Sequence, residues 1–269
     1  MSGFSADWLA LREPYDLRAR NPAVLDAVAA HLAPRTSIRV VDLACGTGST
    51  LRAVSPRLPA RQRWRLTDHD PELLARAAST PVAEDIAVTI IPLDLDRDLE
   101  AALGGTVDLV TTSALLDLVS DRWLQRLAAA LATRAIPFYA ALSYDGQVAF
   151  TPSDPFDAAI INAVNQHQRT DKGFGPALGP EAAGATRACF EALGYSVMTG
   201  SSDWMIGPED RDMQTELVDG WASAARDIGT LSAEDITACS MRRRAMIAAG
   251  QSCCRVGHVD CFAVPSATR

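Results

Sequence analysis

The chain lacks long apolar runs, and it is short of basic charge. Nothing in its 269 residues approaches the roughly 20 consecutive apolar residues needed to cross a bilayer. The opening Met-Ser-Gly-Phe-Ser-Ala-Asp-Trp has neither the basic start nor the apolar stretch of a secretory leader. Lys and Arg number 25 against 33 Asp and Glu, a formal net charge of −8. Phosphate binding draws most of its affinity from clustered Lys and Arg, so nucleic acid is a poor expectation for the main partner. The one dense basic cluster, Arg242-Arg243-Arg244, falls in a helical stretch and is expected to be a solvated helix face. Six cysteines, at positions 45, 189, 239, 253, 254 and 261, contain no repeated C-x₂-C pair of the kind a zinc site uses. Together these absences predict a cytoplasmic protein that neither enters a membrane nor binds nucleic acid.

What is present is a rhythm. Apolar runs at Ile38–Leu43, Trp64–Thr67, Ala87–Leu93, Val107–Thr112 and Ile136–Ser143 alternate with helix-like stretches. Continuous apolar strands imply burial on both faces, as in a parallel sheet flanked by helices, and the alternation predicts a doubly wound α/β fold. Ser120 and Asp121 offer caps for a helix carrying Trp123, Leu124, Leu127 and Leu131 at the 3.6-residue period. After Ser143 the rhythm changes. Asp145-Gly146 reads as a tight turn that would extend the fifth strand into a hairpin, and a helix from about Asp154 to Gln168 and a Gly/Pro-rich loop at 173–180 follow. Residues 147–180 therefore read as an insertion. A helix near Glu181–Leu193, a strand at Tyr195–Thr199, helices near Pro208–Asp227 and Ala233–Ala249 and a strand at Val256–Val264 complete the chain. The whole is expected to be one domain spanning 1–269.

The first strand runs into Asp42-Leu43-Ala44-Cys45-Gly46-Thr47-Gly48 and then a helix, placing small residues where backbone must approach a ligand. A dinucleotide fingerprint needs a third glycine at position 51, and that residue is Leu51, which weakens a nicotinamide-cofactor reading. Val-Asp-Leu-Ala-Cys-Gly-Thr-Gly resembles the first motif of class I, Rossmann-like S-adenosyl-L-methionine-dependent methyltransferases. The resemblance covers roughly residues 38–143. It implies a seven-stranded sheet of order 3-2-1-4-5-7-6 with the last strand antiparallel and helices on both faces. It also implies S-adenosyl-L-methionine as cofactor.

On that resemblance Asp42 anchors the loop or the cofactor's amino group, and the backbone around Ala44, Gly46 and Gly48 faces its methionine part. Asp68 ends the second strand about 20 residues after Gly48, where a carboxylate can accept both ribose hydroxyls, with His69 beside it. Asp70, before Pro71, looks like a helix N-cap. Asp94 and Leu95 match the family's adenine contacts, Ser113 and Ala114 the wall of its methyl-transfer channel. A helical segment within about 1–35 is expected to act as a lid and to bring Arg12 or Tyr15 to the cofactor carboxylate.

Methyl transfer needs alignment more than acid–base chemistry, and a general base only when the attacking atom is protonated. His167, Tyr144 and Asp145 are the catalytic candidates, with Arg169, Asp171 and Lys172 able to orient a charged substrate. His258 and Asp260 are expected to be strand-surface polar residues. Some relatives hold magnesium with acidic residues after the fourth and fifth strands. Here the fourth ends in Thr112-Ser113, so no metal is expected. The leading expectation is methylation of a small molecule. The alternative is a non-catalytic cofactor-binding module acting through a protein partner.

Overall fold

A computed structural model describes residues 4–266. The sheet is built from β1 (Ser37–Leu43), β2 (Arg61–Asp68), β3 (Ile86–Pro92), β4 (Leu109–Ser113), β5 (Phe138–Thr151), β6 (Tyr195–Ser201), β7 (Trp204–Ile206) and β8 (Cys253–Pro265). Its order is β3-β2-β1-β4-β5-β8-β6, with β7 also paired to β8. Strands β1 to β5 pair in parallel, while β8 runs antiparallel to β5, β6 and β7. With β6 and β8 as the sixth and seventh expected strands, this is the order 3-2-1-4-5-7-6. The three-residue β7 is an eighth strand too short to register as a periodic apolar run.

Each face of the sheet carries its own core. On one side α6 (Asp121–Ala132) and α8 (Ala182–Ala192) bury Trp123, Leu127 and Phe190 against β4 and β5. On the other, α2 (Pro22–Leu32), α3 (Ser49–Val54) and α4 (Pro71–Ala78) bury Val28, Leu51 and Leu74 against Trp64 and Tyr139. Helix α6 starts where the sequence indicates, with the Ser120 hydroxyl accepting from Trp123 N at 3.2 Å. The connection between β3 and β4 holds only the one-turn helix α5 (Leu99–Ala102). Accordingly β2 alternates at its start, with Arg61 and Arg63 exposed and Gln62 and Trp64 buried.

Two expectations change. Asp145-Gly146 is not a hairpin turn: β5 runs through it as one strand that slips register against β8 between Tyr144 and Val148. Gly146 has φ +84°, and Asp145 lies over Gly257, where a Cβ would come within 2.2 Å of the carboxylate. The two glycines thus make room for a bulge, with local left-handed backbone used to bend a strand rather than reverse it. The arginine cluster is a solvated face only in part, for Arg242 and Arg244 are exposed while Arg243 is not. On α10 (Ala233–Ala248), Arg243 is buried, pairs with Asp157 and lies 4.1 Å from the Phe150 ring centroid. Its neighbours Arg242 and Arg244 pair with Asp154 and Asp219. These contacts pack α10 onto β5, α7 (Asp157–Gln168) and α9 (Arg211–Ile228).

Candidate active site

The carboxyl ends of β1 to β4 open into a cavity of about 460 Å³, within the range of small-molecule sites and in the crevice where open α/β sheets bind ligands. The loop after β1 forms its floor. Ala44, Gly46 and Gly48 all take left-handed backbone, with φ +51°, +53° and +85°. The loop is tied down by Cys45 N donating to Thr67 O and Gly48 N to Cys45 O. A Cβ built on Gly46 would meet Leu9 Cδ1 at 3.2 Å, because α1 (Ala6–Ala19) crosses directly over the loop. Arg52 locks that crossing by donating to Glu13 on α1 and to Thr47 O and Thr80 Oγ1.

Asp68 lines the cavity, its Oδ2 accepting from Gly46 N at 2.9 Å and its Oδ1 from Asp70 N at 3.0 Å, with His69 Nδ1 3.4 Å from Oδ1. Asp70 caps α4, as its place before Pro71 suggests. Asp94 holds the turn after β3 by accepting from Asp96 N, and the Leu95 carbonyl accepts from Trp123 Nε1 at 2.8 Å. Ser113 accepts from Arg20 Nη2 at 3.4 Å, and Ala114 beside it has φ +50°. Left-handed alanines on two walls of one cavity are the kind of local strain that collects at ligand sites.

Arg12, Ala44, Gly46, Asp68, His69, Asp94, Leu95 and Ser113 thus share one cavity. Asp42 and Gly48 stand outside its wall. The Asp42 carboxyl is buried and accepts from Thr111 Oγ1 at 2.8 Å, while its Oδ2 has no partner among the described residues. Burial pushes its pKa up to about 7. Tyr15 also stands apart, donating to Asp210.

The three catalytic candidates are not brought to the cavity. Tyr144 donates to Asn165 Oδ1 at 2.9 Å, and Asp145 caps the Gln147 amide. His167 lies at the end of α7, with Lys172 Nζ 3.2 Å and Asp227 3.7 Å from its ring. Burial and the Lys172 charge lower its pKa. The bulge in β5 and the length of α7 carry these residues past the strand ends. From the insertion, Lys172, Gly173 and Phe174 do line the cavity.

Other residues came forward that sequence reasoning missed. Asp16 lines the cavity and is bound by Arg12 through Nε and Nη2 at 3.0 and 3.2 Å. His258 and Asp260 are buried, not at a strand surface, because β8 is a central strand. Asp260 accepts from Asn21 N and Leu142 N, both at 2.9 Å, tying the α1–α2 junction to β5. Asp154, Asp157 and Cys239 lie within 4.8 Å of one another, but both carboxylates are committed to Arg242 and Arg243.

Residues 40–135 match the family model described as a methyltransferase domain. No curated protein matches the chain. Among solved structures it is similar to a cyclopropane-fatty-acyl-phospholipid synthase-like protein from Lactobacillus casei, at 13% identity and a TM-score of 0.55 over 97% of this chain and 94% of that one. At this identity the likeness speaks for the fold. A methyltransferase from Thiobacillus denitrificans, in complex with S-adenosyl-L-homocysteine, gives 14% identity and a TM-score of 0.46 over 97% and 99% of the two chains.

The cavity's chemistry suits S-adenosyl-L-methionine: the left-handed backbone of Ala44 and Gly46 forms part of its floor, the buried Asp68 carboxylate lines it, and Leu73, Leu93 and Leu95 give it an apolar wall.

Proposed function

We propose that the cavity holds S-adenosyl-L-methionine and that the enzyme methylates a small molecule. The observation that carries this reading is the convergence of Ala44, Gly46, Asp68, Asp94, Leu95 and Ser113 from four separate strand ends onto one enclosed space. Asp68 would accept the ribose hydroxyls, Asp94 and the Leu95 backbone would meet the adenine edge, and the loop backbone from Ala44 to Gly46 would face the methionine chain. Arg12 Nε and Nη2 are used by Asp16, while Nη1 donates to nothing among the described residues, so it is the free donor for a carboxylate. Asp42, one layer below, acts on the loop and not on the ligand.

When bound, the cofactor supplies a methyl carbon made electrophilic by its sulfonium, which an acceptor lone pair displaces in line to leave a neutral thioether. The protein holds the partners aligned and keeps water out. Leu9, Leu115, Leu118 and Phe174 form the apolar part of the wall that does so. Within the single domain, α1 serves as the lid, with residues 1–3 of the expected lid outside the described residues, and the insertion contributes Lys172 to Phe174 as a second cover. The net charge of −8 supports a small acceptor over nucleic acid. Among the described residues no helix is long and apolar enough to cross a membrane. The six free cysteines support a reducing cytoplasm.

Calorimetric titration with S-adenosyl-L-methionine and with S-adenosyl-L-homocysteine tests the reading. Both should bind at one site per chain. Binding of NADH in their place would overturn it.

A further inference from the structure

The insertion covers one side of the cavity, and the three charged residues at its bend end up in different places. Arg169 is exposed and donates to Glu181 Oε1 at 2.7 Å, away from the cavity. Asp171 is spent on its own loop, its Oδ1 accepting from Gly173 N at 2.6 Å and from Gly175 N at 3.1 Å. Of the three, Lys172 alone lines the cavity, and it is half-buried there. The loop that carries it is stitched to the turn after β4. Leu178 N donates to Val119 O at 2.8 Å, Gly179 N to Asp117 O at 2.9 Å, and the Phe174 ring meets Trp123 edge-on with centroids 5.5 Å apart. Lys172 thus belongs to the β4 side of the cavity with Leu115 and Leu118, whereas Asp68 and Asp94 follow β2 and β3, on the other side of β1.

The charges lining the cavity leave Lys172 over. Asp16 is paired with Arg12, and Asp94 lies 3.5 Å from Arg97. Asp68 and Lys172 remain, one acid and one base. S-adenosyl-L-methionine carries a sulfonium, an ammonium and a carboxylate, so its net charge is positive by one. With that donor in place the cavity holds one positive charge in excess, and a partly desolvated charge is costly until a counter-charge meets it. The Lys172 ammonium can receive one. Of its three N–H donors, one goes to Thr170 Oγ1 at 3.0 Å and one to the His167 ring, whose Nδ1 is 3.2 Å away. The third has no partner among the described residues. Asp227, the acid whose charge reaches Lys172, contacts the His167 ring instead, 3.7 Å from Nε2, and is exposed.

We infer that the methyl acceptor carries a single anionic group of the carboxylate kind, which docks on Lys172 while the rest of the molecule lies along Leu115, Leu118 and Phe174. A monoanion matches the one excess charge, and a dianion such as a phosphate monoester would overshoot it. Thr170 and His167 are positioning residues that hold the ammonium at the wall without lining the cavity themselves. This inference rests on the cofactor reading above, and the experiment separates the two.

Hexanoate is titrated by calorimetry into the protein alone and into the protein saturated with S-adenosyl-L-methionine or S-adenosyl-L-homocysteine, with n-hexanol and n-hexylammonium as neutral and cationic controls. Hexanoate should bind, and both controls at least about 10-fold more weakly. It should bind about 3-fold more tightly beside S-adenosyl-L-methionine than beside S-adenosyl-L-homocysteine, which lacks the sulfonium charge. Lys172→Met keeps the apolar stem and should weaken hexanoate about 10-fold, with unchanged affinity for S-adenosyl-L-homocysteine, while Lys172→Arg should stay within about 3-fold of the parent. Hexanoate binding no tighter than the controls, or unchanged in Lys172→Met, would overturn the inference. So would a loss of S-adenosyl-L-homocysteine affinity in Lys172→Met as large as the loss for hexanoate, since Lys172 would then serve the cofactor. Absent binding of both adenosyl ligands, with hexanoate still selected through Lys172, would overturn the cofactor reading instead.

Discussion

The two walls of the cavity are built in opposite ways. The wall from Ala44 to Leu95 uses loops that each follow directly on β1, β2 or β3, and its internal bonds are short in reach: Gly46 N to Asp68, Asp70 N to Asp68, Asp96 N to Asp94. The opposite wall, of Arg12 and Asp16 with Trp204 and His258 packed behind them, joins α1 to two antiparallel strands near the end of the chain. Its bonds span the molecule, as with Trp204 Nε1 to Asp16 and Asn21 N to Asp260. The first wall is a property of parallel strand ends, where backbone amides and one carboxylate per loop converge whatever follows. The second exists only once α1 has docked on β7 and β8.

The largest effect should come from the local wall. Asp68→Ala removes the proposed ribose acceptor and the partner of Gly46 N, and should weaken S-adenosyl-L-homocysteine binding by about 3 kcal/mol, roughly 100-fold, in calorimetry. Unchanged affinity would move the ribose contact elsewhere. Next is Asp42→Asn, beneath the same wall. The folded pKa of Asp42 is raised to about 7. Its contribution to stability is therefore complete below the unfolded value of about 4 and is lost as pH rises through about 7. Asparagine removes that dependence, so urea denaturation should find the variant gaining on the parent by about 2 kcal/mol between pH 5 and pH 8. A constant difference across that range would refute the assignment.

Smaller effects probe the seam between the walls. Glu13→Gln loosens the Arg52 clasp of α1 on the loop, a partly buried pair worth about 1 kcal/mol or less. Stopped-flow dissociation of S-adenosyl-L-homocysteine should be about 3-fold faster, with little change in thermal stability. Smallest is His167→Ala. Its ring faces Lys172 and Asp227 outside the cavity, so cofactor affinity should stay within about 0.3 kcal/mol of the parent. A loss of 1 kcal/mol or more would return His167 to the site.

Legibility in the sequence follows the same division. The glycine loop, the acid ending β2 and the Asp70 and Ser120 caps are local patterns whose chemistry lies within a few residues. His258 and Asp260 misled for a physical reason: alternating polar residues near a chain end look like a solvent-facing edge, yet β8 inserts between β5 and β6 and buries them. Asp145 misled because strand ends point to the crevice only while the strand is regular, and β5 is bulged there; His167, chosen for its near-neutral titration, sits at the end of α7 beside Lys172 and Asp227. Asp117 carried no signal beyond its place after β4. Arg243 was hidden by its like-charged neighbours, since a triple arginine gives no hint that the middle one meets Asp157 and Phe150 from distant segments.

The sequence by itself determined the alternation of strands and helices, the glycine loop after β1 and the acids at the ends of β2 and β3, while the sheet order came from the family resemblance. Hydrophobic period, turn chemistry and strand-end position are set by neighbours along the chain. Only the tertiary structure decided that Asp42 lies beneath the cavity, that Arg12 is paired with Asp16 and stacked on Trp204, and that Asp117 is buried with an oxygen to spare. Burial and charge pairing depend on which distant segments meet, and the sequence neighbours of an aspartate after a strand do not reveal that it is buried.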